Sequence, residues 1–168
     1  MEIRMTKVLN PDLCIIGAGS GGLSVAAAAA MFGTPVVLIE RGAMGGDCLN
    51  VGCVPSKALL AAADRVHDIR GAGHFGITTG VPQVHFERVG RHVKNVIDAI
   101  APNDSIERFT ALGVKVIQGE ASFLDRRTVR VGEQEIEARR FVIATGSRPA
   151  IPDLSLIHIS EPTRPRLI

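Results

Sequence analysis

The segment GGDCLNVGCVPSK, residues 45–57, sets two cysteines, Cys48 and Cys53, five positions apart, with a proline and Lys57 close behind. Three chemistries suit such a pair: a metal site, a structural staple, or a dithiol that opens and closes by exchange of two electrons. On one regular helix this spacing would part the Cα atoms by roughly 8.6 Å. A disulfide reaches only ~6.8 Å. The intervening LNVG must therefore bend for a bridge to close, and Asn50 and Gly52 tolerate bending. Pro55 has no N–H to give, so a regular helix is predicted to begin at Pro55 and run to about Ile69. Cys53 would then stand just ahead of a helix N-terminus, where the dipole favours an anionic sulfur, and Lys57 adds positive charge within a turn.

A zinc site needs four ligands, and His67 and His74 lie at no recognised spacing from the cysteines; no metal is expected. A static staple across so short a loop gains little chain entropy. The opening MEIRMTKVLNPD has no apolar stretch of the kind a secretory leader needs, so the expected compartment is the reducing cytoplasm, where paired cysteines are more often reactive. The third cysteine, Cys14, alternates with apolar residues and is expected to be buried and inert.

The elements that would position this pair begin with the apolar run LCII, which ends at glycine as a buried strand does. GAGSGG and an alanine-rich helix follow, closed by Gly33, and then PVVLIE, a second buried strand. Strand, glycine turn, helix and strand make a βαβ unit with parallel strands. In that setting Gly17-x-Gly19-x-x-Gly22 is a dinucleotide turn: the first glycine turns the chain, the second admits a pyrophosphate, and the third lets helix and strand pack. Glu40, ending the second strand, is placed to accept hydrogen bonds from a ribose. The same turn with an incidental surface glutamate could serve packing alone, and the motif does not separate NAD from FAD.

Further on, a helix is predicted from about Phe86, with Val89, Val93, Val96, Ile97 and Ile100 at helical spacing. Ala101 and Pro102 interrupt it, and Asp104 is expected to cap a second piece carrying Ile106, Phe109 and Leu112. After Gly113, VKVIQGEASFL, TVRV and FVIATG read as strands. The 46% hydrophobic and 21% charged composition is that of a globular domain. A net charge of +2 from dispersed residues, without Trp or Tyr, speaks against a nucleic-acid surface. The chargeless stretch between Asp12 and Glu40 is long enough to span a bilayer, but five glycines and Pro35 break it; no membrane association is expected.

GGDCLNVGCVPSK closely resembles the active-site segment of the flavin-dependent pyridine nucleotide-disulfide oxidoreductases, class I, the family of lipoamide dehydrogenase, glutathione reductase and mercuric reductase. RRFVIATGSRPAIP, residues 139–152, resembles the family's ATG segment, and the likeness covers residues 9 to 153. It implies an α/β, Rossmann-like FAD-binding domain, a parallel sheet with helices and a small antiparallel β element, present only in its first segment (residues 1–153). Catalytic roles are implied for Cys48 as the thiol that attacks substrate, Cys53 as the thiol facing the flavin, and Lys57 as the lysine near the flavin in lipoamide dehydrogenase-like members. Implied FAD contacts are Gly17, Gly19, Gly22, Glu40, Arg41, Gly46, Asp47, Lys57, Ala144, Thr145 and Gly146. Asp47 stands where many members have threonine, and Ser56-Lys57 differs from the paired lysines of glutathione reductases. NAD(P)H would supply electrons, and the substrate would be a small-molecule disulfide or Hg(II).

The resemblance further implies a homodimer for a full-length parent, of which this chain would be the amino-terminal part. A second glycine-rich fold for NAD(P)H and the family's His-x-x-x-x-Glu pair are not in the sequence, so no turnover is expected from these residues alone. LSLIHISEPTR, residues 154–164, resembles the translation of a transposase adapter used in sequencing libraries; residues 154–168 are expected to be a non-native, unpacked tail. Other readings are a flavin oxidoreductase without dithiol chemistry, a nucleotide-binding module whose cysteines sense redox state, and an inactive truncated fragment.

Overall fold

The computed structural model describes residues 8–147 and residue 150. The expectation of an unpacked tail at 154–168 lies outside them. In chain order the elements are β1 (Val8–Leu9), β2 (Leu13–Ile16), α1 (Ser20–Met31), β3 (Val36–Glu40), α2 (Gly46–Asn50), α3 (Cys53–Gly71), α4 (Phe86–Ile100), α5 (Ile106–Ala111), β4 (Lys115–Gln118), β5 (Ala121–Phe123), β6 (Thr128–Val131), β7 (Gln134–Glu137) and β8 (Arg140–Ile143). The chain is α/β.

The predicted βαβ unit is β2, α1 and β3. These strands are the middle of a wholly parallel sheet of order β4-β3-β2-β8. Val36, Val37, Leu38 and Ile39 are all buried because both faces of this sheet are covered, as the unbroken apolar run requires. On one face Ile15, Val36 and Leu38 pack with Leu23 and Ala26 of α1 and with Phe109 and Val114. On the other, Cys14, Val37 and Ile39 pack with Val129, Val131, Ile136 and Ala138. Those last residues belong to a second sheet of order β1-β7-β6-β5, antiparallel except where β1 joins β7. An edge-to-face contact of Phe123 with Phe141, centroids 5.1 Å apart, also joins the sheets. Burying a side chain such as Leu38 contributes about 1.5–3 kcal/mol.

Gly33 takes φ +70 after α1, and its N–H and that of Thr34 return to the Ala30 and Ala29 carbonyls, closing the helix as expected. α4 begins at Phe86 with its apolar stripe half-buried. Two local expectations are corrected and three short elements are added. α3 starts at Cys53, two residues before Pro55: the first N–H groups of a helix have no intrahelical acceptor, so proline fits its third position. The loop before it contains the single turn of α2. α5 is capped by Ser105, whose Oγ accepts the Arg108 N–H at 3.2 Å, while Asp104 lies in the preceding 3-10 turn, Ala101–Asp104. β1 and β7 were not legible: one is two residues long, and QEIE buries only Ile136 fully. Among the described residues no helix is long and apolar enough to cross a membrane.

Candidate functional site

β2 runs out at Gly17, between β3 on one side and β8 on the other. Crossovers that depart to opposite sides leave a crevice beyond the carboxyl ends of the strands. The Gly17 N–H donates to the Ile39 carbonyl at 2.8 Å, and the Ala144 N–H to Ile16 at 2.8 Å, so the turn is pinned to both neighbours. Gly17 has φ +105, and a Cβ there would lie 2.2 Å from the Ala144 oxygen; one on Gly22 would lie 1.9 Å from the Gly17 oxygen. Both positions admit only glycine. Gly19, the N-cap of α1, is different: its backbone is extended, and the nearest atom to an added Cβ is 3.9 Å away. No side chain caps α1, and no acid sits in its first turn. Its leading N–H groups therefore face the crevice without a side-chain acceptor, the arrangement that receives phosphate.

Glu40 closes the floor of this crevice. Its carboxylate accepts the Ala18 N–H at 2.6 Å and the Gly42 N–H at 2.7 Å, one on each oxygen. Each oxygen retains a lone pair for a further donor such as a hydroxyl. Arg41 turns outward: its Nη1 is 3.5 Å from Glu120, and both side chains are largely exposed. Gln118 Nε2 donates to the Gly42 carbonyl at 2.6 Å, so the loop after β3 is tied to the end of β4. Thr145 and Gly146 follow β8 and are exposed, with Gly146 at φ +72.

The cysteine segment lies directly on the glycine turn. The Gly45 N–H donates to the Ala18 carbonyl at 2.9 Å. A Cβ on Gly46 would approach the Gly19 Cα to 2.7 Å, and Gly45 and Gly46 take φ +86 and +57. α2 follows, carrying Asp47 in its first turn and Cys48 at its centre. The Asp47 carbonyl then accepts from Val51 at 3.0 Å and Gly52 at 2.6 Å, which turns the chain so that Cys53 opens α3. That is the bend LNVG had to supply.

Cys48 and Cys53 are both thiols here, the first half-buried and the second exposed. They interact directly. The hydrogen bond with the Cys53 thiol pushes the Cys48 thiol above its ordinary value, with desolvation and the charge of Cys53 adding to it. The Cys53 N–H and the Lys57 ammonium pull the other way. Cys48 also lines a cavity of about 430 Å³, with Ser20 and Ser24 of α1, Leu49, Val54, Ile100, Asp104, Arg108 and Phe109 around it. Cys53 is not among the lining residues. The sequence does not announce this cavity, because its walls come from five helices and a 3-10 turn; the serines at helical spacing in α1 were its only visible sign. Cys14 is wholly buried, and desolvation raises it to about 12.

The sequence profile of the pyridine nucleotide-disulphide oxidoreductases matches residues 11–160. A mercuric reductase of Lysinibacillus sphaericus is 36% identical over 146 residues, which are 87% of this chain and 27% of that protein. A dihydrolipoyl dehydrogenase of Staphylococcus aureus is 35% identical over 146 residues, 84% of this chain and 31% of that protein. Among solved structures, the HOCl-induced flavoprotein disulfide reductase RclA from Escherichia coli superposes with a TM-score of 0.69 at 26% identity, over 85% of this chain and 30% of that one. The chain thus spans about a quarter to a third of the length of the relatives it matches.

Proposed function

Because the chain belongs to the pyridine nucleotide-disulphide oxidoreductase family, we propose that it is the FAD- and dithiol-bearing part of an NAD(P)H-dependent reductase acting on a small disulfide or on Hg(II). The observation that carries this reading is the placement of Cys48 and Cys53 on either side of the sharp bend between α2 and α3, on a segment packed against a nucleotide crevice. FAD fits that crevice: the steric demand for glycine at 17 and 22 shapes it, and the uncapped start of α1 offers donors to a pyrophosphate. No protein atom crowds Gly19, which leaves the approach of a ligand as the reason for glycine there. Glu40 would hold the ribose, with Gly46, Asp47, Lys57, Ala144, Thr145 and Gly146 along the remaining edge. Arg41 would reach the cofactor only by leaving Glu120. When bound, FAD supplies two-electron transfer between a pyridine nucleotide and the sulfur pair.

The chain's own residues do the thiol chemistry. Cys48 lines the cavity, and we assign it as the thiol that meets substrate, with the more exposed Cys53 left for the flavin. Its thiolate attacks one sulfur of a substrate disulfide, forming a mixed disulfide and releasing the other sulfur as a thiolate. The Cys53 thiolate then attacks the Cys48 sulfur, releases the second substrate thiolate and leaves Cys48 and Cys53 bridged. Two electrons have passed to the substrate. Lys57 favours the Cys48 thiolate throughout. With Hg(II) the same two sulfurs would serve as soft ligands.

We assign residues 1–153 to the first segment of the flavin domain and 154–168 to a translated adapter; a long DNA read across codons 153 and 154 tests this, and the same tail in the genome would end it. A homodimer is proposed for the whole enzyme, because Phe75, Ile77, Val81 and Phe86 expose apolar surface around the link from α3 to α4, Val81 at 91%. A cytoplasmic enzyme suits free cysteines. The direct test is titration of the chain with FAD, followed by flavin fluorescence, together with thiol counts after oxidation and reduction. Stoichiometric FAD binding with reversible loss of two thiols is expected. Reversible thiols without FAD binding would instead leave a redox-sensing nucleotide module.

A further inference from the structure

Asn50 stands between the two cysteines, at the last position of α2. Its Nδ2 donates to the Met44 carbonyl at 3.0 Å and to the Gly46 carbonyl at 2.8 Å. The side chain therefore reaches back across the whole of α2 to the residues that precede and begin it. A five-residue helix is too short to hold itself, since a single turn fixes several residues for few hydrogen bonds. Its start is also unusual, with Gly45 and Gly46 both left-handed and Gly46 packed on Gly19. Its far end is fastened by the two bonds to the Asp47 carbonyl that lead into Cys53. Cys48 hangs between these fastenings, and the Asn50 amide closes the front one.

We propose that Asn50 is a positioning residue for the dithiol: by clamping Met44 and Gly46 it holds Cys48 where the bridge to Cys53 closes, and it ties that geometry to the glycine crevice. The inference rests on the redox reading of the pair given above. Closure removes two electrons and two protons from the thiols, and an added disulfide such as oxidised glutathione accepts them, becoming two molecules of reduced glutathione. A pair held close has a high effective concentration of one sulfur at the other. A released pair closes less readily.

The test is equilibration of the 168-residue chain in glutathione redox buffers, followed by acid quenching, alkylation and mass measurement of the bridged fraction. Asn50→Asp keeps the shape and removes both donors, setting a carboxylate against two carbonyl oxygens; Asn50→Ala removes the clamp altogether. Either is expected to lower the closure constant about tenfold, a potential about 30 mV more oxidising for this two-electron couple. Asn50→Gln, with the same donors on a longer stem, should recover part of it. Asp125→Ala removes the carboxylate that accepts the Arg127 N–H in the turn between β5 and β6 of the second sheet, and should lower the melting temperature while leaving the potential in place. Melting curves show whether each variant is folded, and if Asn50→Ala is not, the isosteric Asn50→Asp decides. Equal potentials for Asn50→Asp and the native chain overturn the inference, as does an equal shift in Asp125→Ala. A native pair that never closes at any poise sinks the redox reading and this inference with it.

Discussion

Cys14 and Cys48 are both held above the ordinary thiol range, and the causes differ enough to be separated in solution. Cys14 is raised by burial alone, from 9.0 to about 12. Between those values the folded chain keeps a proton that the unfolded chain releases. Stability from this group is therefore complete below about pH 9 and is lost as pH rises, by at most about 1.4 kcal/mol per unit. Urea midpoints at pH 8 and pH 10 should show the fall, and Cys14→Ala, although less stable at both, should show a smaller one. An unchanged slope would mean the titration lies elsewhere. Cys48 is raised first by its bond to Cys53, so Cys53→Ala should bring it down and speed its alkylation by iodoacetamide at pH 7.5 a few-fold, since below its pKa each unit changes the thiolate fraction tenfold. Lys57→Gln should slow it. Rates that move the opposite way would contradict the assigned causes.

At the scale of elements, the glycine turn separates positions that look alike in sequence. Gly17→Ala and Gly22→Ala would drive a methyl group into backbone oxygens, and each should cost about 2 kcal/mol or more, a drop of about 5 °C in melting temperature. Gly21→Ala meets nothing within 4 Å and lies in α1, so it should be neutral or stabilising by up to about 1 kcal/mol. A scan of the three variants by differential calorimetry checks the ranking. The β2, α1, β3 unit was legible because buried parallel strands write unbroken apolar runs, and the demand for glycine at 17 and 22 because a tight turn and close helix packing permit few alternatives. The start of α3 was misplaced by taking proline as its first residue when the third also suits it. α2 was invisible: what holds it is the Asn50 clamp and the packing of Gly46 on Gly19, neither of which has a period. The cavity beside Cys48 escaped for a related reason, since Asp104 and Arg108 reach it through the path of the chain after α4.

The whole molecule has one parallel sheet with two covered faces, and among its described residues one Gly-x-Gly-x-x-Gly turn joins a strand of that sheet to a helix. If FAD takes that turn, a pyridine nucleotide needs a seat of its own, with its own donors for a second pyrophosphate. The relatives are about three times as long as this chain, so room for such a seat exists in them beyond the matched portion. The chain loaded with FAD is accordingly expected to oxidise NADH or NADPH no faster than free FAD does, followed by absorbance at 340 nm without oxygen. Dithiothreitol should still reduce the Cys48–Cys53 bridge, yielding two thiols per chain, because that exchange needs only access to a sulfur. The pair of results would separate the thiol chemistry proposed for these residues from electron delivery by a pyridine nucleotide, which the proposal places elsewhere. Sustained NADPH oxidation would place a second nucleotide site within the 168 residues and overturn the division of labour proposed for them.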